Sequence, residues 1–581
     1  MLKKCTLLVA AVLCTAACTN QEAENESNPD PVTEEDPAEN EADDTEPADN
    51  DTNESELEEE NRTDEEENEP PEEEAENDAE SAAYPYAVSA GHPAAVEAGM
   101  TVLAEGGNAV DAAVAAAFAV SVVEPFASGI GGGGVALIHE QGEAPESIDY
   151  REVVPGDGIP SSNVGVPGFV QGMQDLSDRY GESGWEDLLT PAVELAGGAE
   201  VTELLAEQLE SGASRLPVSV LPQFYPDGAP LAVGETLVQS DLAAVLEAVR
   251  ADGAEAFYEG ALADDLIENV DGLDAASLAG YETVNHEPVS GSFLDYDVIG
   301  APAPLPGISV VQMLQMLEGS TAFDDYDERY EAEHIHYMAM SWRLARAMME
   351  TELGDPNFVD VPVDAMTNPE QNRELAEAIE ADQLFSIGEN EPYSAPNTTH
   401  ITVVDRDGTV VSMTNTLTNF WGSALYTNGF FLNDQMARFS IGRSDNNDPE
   451  PGRRSITWSA PMIVADEEGP VLGIGSPGGE RIPLMLAQVI ADWAVHNQDV
   501  ERAVASPRFH INGDRLILEE PPDEALENEL LSIGYAAVEE QPTALYFGSV
   551  QALSIDRDDR SVTGYRDERR EADVAVEDED S

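Results

Sequence analysis

Lysine is almost absent from this chain. Lys3 and Lys4 are the only two among 581 residues, and arginine brings the cations to 25 against 118 acidic side chains, a formal net charge of -93. A surface of that sign repels a phosphate backbone, which excludes nucleic acid as a partner. Cysteine is nearly as scarce. Cys5, Cys14 and Cys18 all lie at the start, so the chain beyond them can form no disulfide. No cysteine is left for a metal site, and His334 and His336, two apart in a helical stretch, point to different faces. They read as packing or surface histidines, so no metal is expected. Gly131 to Gly134 is not followed by Lys-Ser/Thr, opens no helix and has no acidic partner at dinucleotide spacing. No nucleotide cofactor is expected either; the glycines read as close backbone packing.

Residues 1–17 have the layout of a secretory leader. Lys3 and Lys4 start it, Leu7 to Leu13 is apolar but too short to span a bilayer, and Thr15-Ala16-Ala17 precede Cys18. Small residues before a cysteine mark lipoprotein processing, which predicts a lipid on Cys18 and a place on the outer face of the cell membrane. The alternative is a plain secretory peptide with a chance cysteine. Residues 19–83 hold 30 acidic residues, one arginine and no aromatic side chain. Such a segment cannot collapse and is expected to be a self-repelling tether. The remainder still carries 88 acidic against 22 basic residues. Repulsion on that scale weakens a fold in dilute buffer and is relieved by screening, which predicts a halophilic protein.

Past residue 83, Ala87 to Val123 reads as a short strand and a long alanine-rich helix. Residues 185–350 read as mostly helical, with apolar spacing in Asp241–Ala251 and Glu331–Met349. Residues 354–397 hold turn formers without a period and suit a loop. From residue 398 the chain is strand-rich, with one helix at Leu484–His496, a strand pair near Leu516 to Leu518 and an acidic tail, Glu571–Ser581, expected to fray.

The stretch with most chemistry is Asn397-Thr398-Thr399-His400. Ile401, Val403 and Val404 continue it as a strand, Asp405 to Thr409 supply a turn with Gly408 free to take positive φ, and Val410 to Leu417 return. In that hairpin, opposed residues have numbers summing to roughly 814, which brings Thr416 across from Thr398. A threonine hydroxyl is a poor nucleophile without a neighbouring base. If the Asn397–Thr398 bond breaks, the new α-amine can be that base. On the hairpin alone, an ordinary threonine-rich strand explains the pattern as well.

More of the chain follows suit. Gly106-Gly107-Asn108-Ala109-Val110-Asp111, Ser128-Gly129-Ile130-Gly131-Gly132-Gly133, Asp149-Tyr150-Arg151-Glu152 and Val166-Pro167-Gly168 precede Thr398-Thr399-His400. Thr414-Asn415-Thr416-Leu417, Trp421-Gly422, Leu432-Asn433-Asp434-Gln435-Met436, Gly475-Ser476-Pro477-Gly478-Gly479 and Pro507-Arg508-Phe509-His510 come after it. In this order, over roughly residues 85 to 567, the sequence resembles the γ-glutamyltranspeptidases, self-cleaving N-terminal nucleophile hydrolases. The resemblance implies an α+β fold, a four-layer αββα sandwich formed jointly by two autoprocessed subunits, residues 84–397 and 398–581. It implies a threonyl acyl-enzyme passing a γ-glutamyl group to water or an amine.

By the same resemblance, Thr398 is nucleophile and, with Asn397, cleavage site; Thr416 supports it; Gly478 and Gly479 form an oxyanion hole. Arg151 corresponds to the arginine that grips the donor's α-carboxylate, a structural ion pair being its alternative. The donor pocket departs from the pattern: Thr418 stands where the family has asparagine, Gln435 is kept, Arg438 replaces the aspartate that meets the ammonium, and Thr457-Trp458 replace two serines. Either another acid serves, Asp434 being nearest, or the acyl group carries a second carboxylate, as in poly-γ-glutamate or a glutaryl amide. Rival readings are a depolymerase or glutaryl/cephalosporin-type acylase on the same scaffold, and a catalytically silent surface lipoprotein.

Overall fold

A computed structural model describes residues 83–323, 326, 330–384, 398–541 and 543–577. The leader with Cys18, the acidic segment up to residue 82, and Asn397 lie outside them. Twelve strands build two antiparallel sheets. They are β1 (Ala87–Ala90), β2 (Gly133–His139), β3 (Glu146–Asp149), β4 (Val289–Phe293), β5 (Tyr296–Gly300), β6 (Thr399–Val404), β7 (Val410–Thr416), β8 (Met462–Asp466), β9 (Gly469–Gly475), β10 (Gln551–Asp556), β11 (Ser561–Gly564) and β12 (Asp573–Val576). The first sheet runs β12-β1-β6-β7-β2-β3 and the second β11-β10-β9-β8-β5-β4.

Strand alternation explains how they stack. Val135, Leu137, Val404 and Val410 turn inward and meet Ile299, Ile463, Leu553 and Ile555 of the second sheet. Their neighbours Ala136, Ile138, Ile401 and Val403 turn outward, under helices α1 (Pro93–Ala104) and α2 (Ala109–Val123). On the far side, Val298, Met462, Val464 and Ala552 lie under α3 (Gly307–Glu318), α4 (Ala332–Glu352) and α5 (Ile482–Val495). Both sheets are buried on both faces, and the result is the four-layer αββα sandwich. Its two inner layers approach closely where side chains are small: a β-carbon at Gly473 would stand 2.6 Å from Thr402 Cγ2 and Val410 Cγ1.

Helix α2 shows why alanine dominates that layer. All fifteen residues are buried, and small side chains let it lie flat on β6 and β7. Asn108 caps it, accepting hydrogen bonds from the N–H groups of Val110 and Asp111, while Asp111 accepts from Asn108 N–H.

Several expectations are corrected. Ala87–Val123 contains two helices, not one, separated at Gly106-Gly107-Asn108. The segment read as mostly helical contains the hairpin β4–β5, whose Val289-Ser290-Gly291-Ser292-Phe293 is too polar and glycine-broken to announce a strand. Residues 354–384 are not a plain loop: they hold helices Val363–Met366 and Pro369–Glu377, the latter capped by Asn368. The C-terminal part has further helices at Val500–Ala505 and Glu524–Ile533. The acidic tail is not frayed over Asp573–Val576, which forms the edge strand β12 against β1, with Val574 and Val576 packed among the inner residues. His334 and His336 are both buried in α4, where His336 meets the Tyr535 hydroxyl at 2.8 Å; they pack. Among the described residues no cluster of three metal-ligating side chains occurs, and no helix is long and apolar enough to cross a membrane.

Candidate active site

The hairpin β6–β7 pairs Thr399 with Asn415, a sum of 814. Thr398, one residue before the strand, therefore faces Thr416, and their hydroxyl oxygens lie 3.3 Å apart. Both side chains are buried. The glycines of the 131–134 run explain how the chain closes around them. A β-carbon at Gly132 would overlap the Thr416 carbonyl, one at Gly134 the Thr414 carbonyl, and one at Gly131 the Phe431 carbonyl. These glycines are the clearance that lets β2 lie alongside the catalytic hairpin.

From Thr416 a hydrogen-bond chain runs deeper. Thr418 donates its N–H to Thr416 Oγ1 (2.8 Å) and its hydroxyl to Gln435 Oε1 (2.5 Å). Gln435 Nε2 donates to Ser455 Oγ (3.0 Å), and Arg151 Nη1 donates to the Ser455 carbonyl (2.9 Å). Thr418 takes φ +85°, a left-handed backbone that strains a β-branched residue by about 1–3 kcal/mol. Asn433 donates to the carbonyls of Gly131 and Gly165 and accepts from Gly165 N–H.

Arg151 is buried and its guanidinium is engaged. Nε and Nη2 fork onto Asp149 (3.0 and 2.5 Å), and Arg454 approaches the same carboxylate at 3.4 Å. Burial pushes the Asp149 carboxyl up, but the two arginines outweigh it and hold it below its usual range. The ion pair weighed as an alternative for Arg151 is thus present. Arg438 is different. Its Nε is buried without a hydrogen-bond partner, and Nη2 makes only long contacts, 3.5 Å to the Thr418 carbonyl and 3.4 Å to Asn419 Oδ1. Burial lowers its pKa while Asp434 and Glu480 pull it back up. Asp434 is tied to Asn419, accepting from its N–H and side-chain amide.

Gly478 and Gly479 come in from the second sheet. Strand β9 ends at Gly475 directly against the His400 ring, two residues from Thr398. The chain then turns through Ser476-Pro477 into Gly478 (φ +144°) and Gly479 (φ +63°), where a one-turn helix leads into α5. Glycine alone adopts such angles without strain, and N–H groups at a helix start lack intrahelical acceptors. Thr457 is buried, and Trp458 packs edge-on against Trp342, with Arg346 over its ring at 5.7 Å.

Sequence reasoning missed Ser455 and Glu124 and gave no role to Asn433 or Glu152, which it met only as members of motifs. Glu124 accepts a hydrogen bond from Thr399 Oγ1 (3.1 Å), and burial pushes its carboxyl up to about 7 against the pull of Arg570. Glu152 is fully buried with both oxygens unpartnered, and burial pushes it up to about 8. The signal for Glu152 was its place in the Asp149-Tyr150-Arg151-Glu152 motif. Nothing local marked Glu124.

The layer order and the inward threonine pair are those of an N-terminal nucleophile hydrolase. Against solved structures the chain superposes on a cephalosporin acylase from Bacillus halodurans with a TM-score of 0.78 over 85% of this chain and 96% of that one; at 23% identity this is a likeness of fold. A sequence model of the gamma-glutamyltranspeptidase family matches residues 95–577, and the chain belongs to that family. It is 38% identical over 460 residues to the capsule biosynthesis protein CapD proenzyme of Bacillus anthracis, covering 79% of this chain and 84% of that protein. It is 33% identical over 447 residues to the glutathione hydrolase proenzyme of Escherichia coli, covering 68% and 76%. The chain is an enzyme of this type.

Proposed function

We propose that Thr398 is both the agent of self-cleavage and the catalytic nucleophile of a γ-glutamyl transferase or hydrolase. Its Oγ1 attacks the Asn397 carbonyl, the acyl group moves from nitrogen to oxygen, and water hydrolyses the ester, leaving residues 398–581 with a free threonine amine. That amine then takes the hydroxyl proton as Oγ1 attacks the donor's amide carbonyl. Gly478 and Gly479 N–H groups hold the tetrahedral oxygen, the proton passes to the departing amine, and the acyl-threonine is resolved by water or an amine acceptor. The observation that carries this reading is the pair of buried hydroxyls 3.3 Å apart at Thr398 and Thr416. No cofactor enters any step. The relatives named proenzymes support processing into large and small subunits.

A second reading of the donor rests on Arg438. A guanidinium with a buried, unpartnered Nε beside Thr418 and Asn419 repels an ammonium and attracts an anion. It suits an acyl group with a second carboxylate, such as a γ-linked glutamate chain, or a glutaryl amide without the ammonium. In that reading Arg151, held by Asp149, frames the pocket and Gln435 lines it. Turnover of γ-glutamyl-4-nitroanilide and glutaryl-4-nitroanilide separates the two. Arg438 predicts at least comparable kcat/KM on the glutaryl compound. A strong preference for the γ-glutamyl compound removes the altered pocket and leaves Asp434 as the ammonium ligand.

For location, the leader motif supports a lipid on Cys18 and a site on the outer face of the cell membrane, or plain secretion, with the acidic segment as spacer. Salt adaptation belongs to the same proposal and is supported by the charge.

A further inference from the structure

Thr418 lies two residues beyond the supporting hydroxyl, and the family pattern would make it a donor ligand. The geometry gives it other work. Its side-chain hydroxyl is already committed to Gln435 Oε1, its N–H to Thr416 Oγ1, and its backbone sits at φ +85°, where a threonine stays only if its surroundings hold it. Gln435 is itself fixed at both ends, by Asn433 Oδ1 through its backbone N–H (3.2 Å) and by Ser455 Oγ through Nε2. Thr418, Gln435 and Ser455 are all buried, so these bonds act in a medium of low dielectric and are not exchanged for water.

The consequence falls on Thr416. A threonine hydroxyl has one hydrogen and two lone pairs, and an unconstrained one rotates among staggered positions. The Thr418 N–H occupies one lone pair at 2.8 Å and so restricts that rotation, while Thr398 Oγ1 lies 3.3 Å from the same oxygen. We propose that Thr418 is a positioning residue: its left-handed backbone, locked by Gln435, aims the Thr416 hydroxyl at the nucleophile. Through Ser455 the same network reaches the Arg151–Asp149 pair, so the donor pocket and the aim of the nucleophile form one rigid unit. The inference rests on the reading of Thr398 as nucleophile and deepens it.

Thr418→Val keeps the branched shape and the N–H but removes the tie to Gln435. Thr418→Gly keeps the N–H, has no steric objection to φ +85°, and frees the backbone. Thr418→Ser keeps the hydroxyl. Two readouts apply to each full-length variant: the rate at which the precursor cleaves itself, and kcat and KM on γ-glutamyl-4-nitroanilide. Positioning predicts that Val and Gly lower kcat and the cleavage rate by about tenfold or more, with KM within about threefold, and that Ser restores both. The glycine variant carries the test if valine fails to fold, since glycine relaxes the backbone there. A raised KM with kcat and cleavage unchanged would make Thr418 a donor ligand and overturn the proposal, as would wild-type behaviour of Val and Gly. Self-cleavage needs no donor. A wild-type chain that cuts itself but ignores the anilide therefore removes the donor assignment alone, whereas a wild-type chain that never cuts removes the reading of Thr398 and this proposal with it.

Discussion

Glu152 poses the sharpest question at the scale of single residues. A carboxyl buried with neither oxygen bonded is held neutral, and burial pushes it from an ordinary 4.5 up to about 8. The unfolded chain releases this proton near pH 4.5 and the folded chain only near pH 8, so the native state binds more protons in between. Stability from this group is fully present below pH 4.5 and is lost as pH rises toward 8. Glu152→Gln removes the titration. Its melting temperature relative to wild type is therefore expected to rise between about pH 5 and about pH 8. The gain is equivalent to a few kcal/mol at most, since each tenfold change in proton affinity is worth roughly 1.4 kcal/mol. Parallel melting curves at the two pH values would show that Glu152 is not held neutral. What was legible at this scale was the hairpin pair, because strand arithmetic needs only a turn and a register. Ser455 was not, because its role depends on Gln435 and Arg151 arriving from distant segments.

Among elements, the glycine run that leads into β2 decides whether the site can assemble. Gly132 has no room for a β-carbon because the Thr416 carbonyl and Leu417 side chain occupy that space. Gly132→Ala must push β7 away from β2 or distort both, an overpacking that destabilises by about 1–3 kcal/mol. Displacing Thr416 also breaks its contact with Thr398, so slowed or absent self-cleavage is expected along with the lower melting temperature. Cleavage at the wild-type rate would show that this strand contact is not what sets the nucleophile. Strands rich in β-branched residues on either side of a turn, β6 and β7, could be read directly. The pairs β4–β5 and β12 could not: one is broken by Gly291 and polar residues, the other is embedded in an acidic tail, and both are held by neighbours far off in sequence. The order of layers came through resemblance, since periodicity shows where strands lie and not which sheet each joins.

For the whole molecule, electrostatics sets the conditions under which the fold is stable. The part of the chain beyond residue 83, with 88 acidic against 22 basic residues, folds against its own repulsion, and the screening length falls from about 10 Å at 0.1 M salt to about 3 Å at 1 M. The melting temperature and the active fraction are therefore expected to rise from about 0.1 M to about 2 M sodium chloride. A protein equally stable and active at both would contradict salt adaptation. The central claim is tested most directly by the intact masses of purified protein and the N-terminal sequence of its smaller fragment. Two chains are predicted, the smaller beginning at Thr398, with Thr398→Ala remaining a single inactive polypeptide. An active enzyme that is uncut, or an alanine variant that still turns over, would contradict it.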